Sequence, residues 1–276
     1  MKKIMSKKLF VAIIVTVLVM PGWASAGRTG PHGDRSPCEY YEDSFVSRVL
    51  GLTEEQKDAL RELCLETSSD IGALQEGIDA LALHETLLAE EIETTAASEK
   101  IEEMLGIQND INLIEAAAAL DKALILTAEQ RQLILKHINN ISDFLGYIAD
   151  YPGWDKIIDD YNNDIKPFLS RNDDPYGLDL TDEQKLNFME LKEKTDNETT
   201  ALEEEIRNLG LKDALLAEEI DTETVSSKLD QMATLKTQVA AQNAYAKLEG
   251  AQILTPEQRQ TLLKKIQWRL MYRKYR

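Results

Sequence analysis

The sequence has little of what builds disulfide frameworks, metal sites or loop-rich folds. Its 276 residues include two cysteines, three histidines, seven prolines and thirteen glycines, and only 6% are aromatic. Two cysteines exclude a disulfide-dense scaffold. His32, His84 and His137 stand far apart in the chain, so no transition-metal site is expected. Residues 172–183 place Gly177 and Glu183 at the sixth and twelfth positions of a calcium loop. Asn172, Pro175 and Tyr176 spoil the remaining pattern, and a plain turn before a helix is the simpler reading. No Walker loop, Gly-x-Ser-x-Gly, His-Glu-x-x-His or Rossmann glycine pattern occurs, so we expect no enzyme, no catalytic residue and no cofactor. Excess positive charge is missing too. With 31 Lys and Arg against 49 Asp and Glu the chain carries a net −18, which disfavours nucleic acid as a partner.

What remains is rich in Ala, Leu, Glu, Lys and Gln, with an ordinary hydrophobic share of 43%, and reads as an all-α protein of long helices. Met1 to Lys8 carries four lysines, Leu9 to Met20 is an apolar run too short to span a bilayer, and Ala24-Ser25-Ala26 supplies small residues for cleavage. Residues 1–26 are therefore expected to be a cleaved signal peptide, with no stable membrane insertion afterwards.

The chain repeats itself. LTxxQ segments begin at Leu52, Leu126, Leu180 and Leu254, spaced by 74 within each pair and by 128 between pairs. Sliding the chain by 128 aligns 52–138 with 180–266 without a gap, and 38 of the 87 positions are identical. The blocks LLAEEIET and LLAEEIDT, and ILTAEQRQ and ILTPEQRQ, recur in register. One helical unit is expected at 52–150 and its copy at 180–276, joined by a linker at 151–179 and preceded by an arm at 27–51.

In each pentapeptide Thr53, Thr127, Thr181 or Thr255 precedes Gln56, Gln130, Gln184 or Gln258 by three residues, the spacing of a capping box that starts a helix. Acids inside the boxes suit the helix dipole, and Pro256 suits a first helical position. The fourth helical position is basic in every box, so the leading Leu52, Leu126, Leu180 and Leu254 need tertiary apolar partners. Leu60, Cys64, Thr67, Ile71, Leu74, Ile78 and Leu81 form a helical seam matched by Phe188, Leu202, Ile206 and Leu209. A short second helix is expected through LLAEEI, then a third capped by Thr94, Thr95 or Ser98 and by Thr222 or Thr224.

Two LTxxQ boxes about seventy residues apart, the second written ILTPEQ, in a helical chain with a signal peptide resemble the Spy/CpxP family of periplasmic proteins. The likeness covers most of the mature chain, once per copy. It implies a four-helix, cradle-shaped subunit that pairs antiparallel with another. It also implies ATP-independent chaperoning of unfolded envelope proteins, or binding to the periplasmic domain of a stress-sensing kinase, or a metal-linked stress role. In this chain both subunits would be one polypeptide, a monomer with an internal pseudo-two-fold pair. Unfolded or partly folded proteins are then the expected partners.

Several features carry two readings. Met104, Ile107, Met232 and Leu235 on the third helices either offer adaptable surface to unfolded chains or form core. Cys38 and Cys64 either pair, tying the arm to the first helix, or leave a buried thiol on the seam. The linker's Tyr151, Trp154, Tyr161, Phe168 and Tyr176 either dock over the helices or anchor a connector. Charge is uneven, with a net −20 over 27–179 and −2 over 180–276. Yet Lys264, Lys265, Arg269, Arg273, Lys274 and Arg276 crowd the last thirteen residues around Trp268, Met271 and Tyr272. That segment suits either an anionic partner surface or the helix dipole.

Overall fold

A computed structural model describes Cys38, residues 45–149 and residues 177–274; for 45, 46, 140–149 and 269–274 only the backbone is described. The expected signal peptide, the arm except Cys38 and 45–51, and the linker up to 176 lie outside the described residues. Among the described residues all regular structure is helical.

The order is α1 (Phe45–Leu50), α2 (Glu54–Ala80), α3 (Leu83–Leu87), α4 (Thr94–Ile125), α5 (Ala128–Ala149), α6 (Asp182–Asn208), α7 (Leu211–Leu215), α8 (Thr222–Ile253) and α9 (Pro256–Lys274). The copies match element by element: 27 residues in α2 and α6, 5 in α3 and α7, 32 in α4 and α8. Each LTxxQ box starts a helix, because Thr and Gln satisfy backbone donors that the first turn leaves open. α2 and α6 end where Ala82 and Gly210 turn into the left-handed region, at φ 49° and 62°. Lys100 and Lys228 then donate to the free carbonyls of Leu81 and Leu209, at 2.9 and 2.7 Å.

Two details differ from expectation. The short helices stop at Leu87 and Leu215, so most of LLAEEI is an open turn rather than helix. Its carbonyls accept side-chain donors instead of continuing a helix, as described below. Asp221, not a threonine, caps α8, accepting from the Thr224 backbone at 3.1 Å and from the Thr224 hydroxyl at 2.7 Å.

The described residues form two compact units, one within Met1–Gly77, Ile107–Tyr147 and Glu204–Thr237, the other within Ile78–Gly106, Ile148–Glu203 and Gln238–Arg276. Each unit draws on both sequence copies. In the first, Leu50, Leu52, Leu60, Leu126 and Ile134 bury Leu216 of the second copy, and Ala116, Ala119 and Ala123 pack with Leu215, Val225, Leu229 and Met232. Leu52 and Leu126 thus find their apolar partners in tertiary contacts. In the second unit, Leu87, Leu88, Ala97, Ile101 and Leu105 of the first copy pack with Ala244, Leu248 and Ala251 of the second.

Candidate functional site

Within each copy the two boxes face each other through their glutamines. Gln56 and Gln130 each accept from their own threonine's N–H, at 3.1 and 2.9 Å, and each threonine hydroxyl accepts the glutamine N–H in return, at 3.2 and 3.3 Å. The amide nitrogens exchange bonds with the partner amide oxygens, at 2.8 and 3.0 Å, and also donate to Ile125 O at 2.8 Å and Leu50 O at 3.1 Å. Gln184 and Gln258 repeat the arrangement, with Ile253 O at 2.8 Å and Leu178 O at 3.0 Å. Every lone pair and proton of each amide is then used. A carboxylate, which lacks donors, cannot replace it.

The residues after the second box do something else. Arg131 and Arg259 are buried, 8% and 7% exposed, with no carboxylate of a described residue in an ion pair with either guanidinium. Arg131 donates to Ala123 O and Leu126 O at the end of α4, at 3.2 and 2.6 Å, where the helix dipole favours a cation. It also reaches the second copy's turn, at Ala217 O (2.9 Å) and Glu218 O (2.7 Å), and Gln132 adds Leu216 O at 2.8 Å. Arg259 and Gln260 mirror this on the first copy's turn, at Ala89 O (2.8 Å), Glu90 O (2.5 Å) and Leu88 O (3.1 Å). Each guanidinium spends four of its five donors on carbonyls, so these arginines clamp polypeptide and have almost nothing left for a ligand. Sequence reasoning passed over them. The available signal was that Arg-Gln follows only the second box of each copy, while LLAEE recurs elsewhere.

A polar seam also joins the copies. Thr237 lies 3.2 Å from Asn109, its own counterpart at an offset of 128, and Asn112 donates to Thr237 at 3.0 Å. Lys236 pairs with the buried Glu115 at 3.1 Å. Burial pushes the nearby Lys122 ammonium down, and Glu115 opposes that shift. At the helix starts, the carboxyls of Glu55, Glu129 and Glu257 are held below their ordinary range by their own backbone N–H and then by the box threonine. The Thr224 hydroxyl and then its backbone N–H do the same for Asp221.

The residues singled out for binding unfolded chains are scattered. Met232 is 5% exposed and belongs to core, which removes it as a contact surface. Met104 is half-buried against the second unit's core, which includes Ile101 and Leu105, and Ile107 is half-buried as well. Leu235 is half-buried beside an open groove with Leu209, Glu205 and Asp230. The exposed apolar side chains lie elsewhere: Leu186 at 54% and Met189 at 68% on α6, and Leu65 at 52% on α2. At the positions matching Leu186 and Met189 the first copy has Asp58 and Arg61, an ion pair at 3.3 Å.

Cys38 and Cys64 are joined in a disulfide with Cα atoms 5.6 Å apart, fixing Cys38 to α2. Among the described residues no three His, Cys, Asp or Glu gather in a way that could hold a metal ion. No protein-family model, curated protein or solved structure matches the chain.

Proposed function

We propose that this chain is a periplasmic, ATP-independent chaperone-like protein of the Spy/CpxP kind, in which one polypeptide supplies both subunits of a helical cradle. The observation that carries the reading is the reciprocal clamp. Arg131 holds the second copy's turn and Arg259 holds the first copy's, the exchange of equivalent contacts expected when two like subunits pair about a two-fold axis. Contact between the equivalent positions Asn109 and Thr237 supports the same pairing. Client segments would meet the exposed Leu186 and Met189 of α6 and Leu65 of α2, rather than Met104 and Met232. Acidic surroundings favour clients that are basic or weakly charged.

The test is light scattering from a chemically denatured client diluted into the purified chain without nucleotide. Suppression at near-stoichiometric ratio is expected, and Leu186→Ser with Met189→Ser should weaken it severalfold while leaving the melting temperature unchanged. Undiminished aggregation at a several-fold excess of the chain would overturn the reading.

A further inference from the structure

We infer that the outer face of α9 is a docking surface for anionic membranes. Residues 264–276 carry six bases and no acid in a chain whose net charge is −18. Leu262, Leu263 and Ile266 of α9 pack on the second unit's core. At about 100° per residue, Ile266 and Leu263 fall on the side opposite Lys264 and Trp268. Lys264 and Lys265 are exposed, and Trp268 is 60% exposed. The helical backbone continues to Lys274, which puts the position of Tyr272 on the same face, whereas that of Arg269 falls beside Leu262.

The helix dipole does not account for this pattern. It favours cations within the last turn, whereas Lys264 and Lys265 lie more than two turns before the end of α9. The repeated fold accounts for only part of it: the matching helix α5 carries Lys136 at the position of Lys264, but has His137 in place of Lys265, Asn140 in place of Trp268 and no base in its last turn.

Cations flanking an exposed indole match an anionic lipid surface, whose phosphates take the charges while the ring enters the headgroup layer. An acidic protein surface would meet the lysines but offers the ring no such layer. The chain's remaining negative charge is screened beyond about 10 Å at 0.1 M salt. Attachment would be peripheral, since no described helix is long and apolar enough to cross a membrane. This inference is independent of the chaperone reading.

The test is flotation of the full chain with phosphatidylcholine vesicles, with and without phosphatidylglycerol, at moderate salt. Binding is expected only when phosphatidylglycerol is present. Lys264→Gln should lower the partition coefficient about fivefold, and Trp268→Ala should lower it on the same vesicles, both with unchanged helical circular dichroism. Equal binding to both vesicle types, or none, would overturn the inference. So would a Lys264→Gln variant that loses salt-sensitive self-association in the absence of any vesicle binding, because the face would then belong to an acidic protein surface.

Discussion

Ala82 and Gly210 occupy equivalent positions and share the left-handed conformation, but only one of them adopts it without cost. An L-residue there is strained by about 1–2 kcal/mol, partly offset by the entropy that glycine loses on folding. Ala82→Gly should therefore stabilise the chain by about 0.5–1 kcal/mol in urea denaturation; destabilisation would show that the alanine methyl is used in packing. The carboxyls of Glu55, Glu129, Glu257 and Asp221 are all depressed in the folded chain. As pH falls the unfolded chain takes up protons first, so the stability these groups contribute is complete above the ordinary carboxylate range. It drains away as pH drops through the lower folded values. Unfolding free energy should hold steady between neutrality and about pH 5 and decline below about 4.5, less steeply in Glu55→Gln/Glu257→Gln, when followed by urea melts across pH.

Among the helices, what matters is how their ends are joined. The paired glutamines tie the start of α2 to the start of α5, and α6 to α9, so Gln130→Glu would set a donor-free carboxylate against the Leu50 carbonyl. It should cost about 3 kcal/mol; a loss below about 0.5 kcal/mol, the ordinary range of a surface change, would mean the amide pair is incidental. Arg259→Lys keeps the charge but not the planar fork that spans two carbonyls of α8 and its end and two of the opposite turn, and a similar loss is expected. The clamp uses the carbonyl of Glu90 and not its carboxylate, so Glu90→Gln should stay within about 0.5 kcal/mol. If the two variants were equally damaging, the geometry of the clamp would not be the reason.

At the level of the whole molecule, pairing pieces of both copies redistributes charge. Counted over the described residues, the first compact unit holds 10 bases and 20 acids, a net −10, and the second holds 11 and 18, a net −7. Over the same residues the two sequence segments, 45–149 and 177–274, carry −13 and −4, so the contrast between them is reduced, which limits repulsion concentrated in one body. Because the clamps and cores join the copies without help from the linker, a specific protease site placed within 150–176 and cut should leave the two fragments eluting together from gel filtration in buffer and apart only in denaturant. Separation in buffer would mean that the tether, not the packing, holds the copies together.

The helical class, the repeat offset and the helix starts were legible because they depend on local chemistry. A threonine three residues before a glutamine can complete a capping box whatever surrounds it, and an alignment at 128 needs only the letters. Other features were not legible in the same way. The end of α3 before most of LLAEEI, the burial of Met232 and the exposure of Leu186 and Met189 all depend on which surface meets which, and periodicity marks an apolar position without saying what covers it. Most plainly, the LLAEE turn stays open because an arginine from the other copy bonds its carbonyls, about 170 residues away in the chain for Arg259 and Ala89. The sequence by itself determined where the four LTxxQ helices begin and that the unit built on them occurs twice. Only the tertiary structure decided that each compact body is assembled from both copies, because that choice lies in long-range contacts that no local pattern encodes.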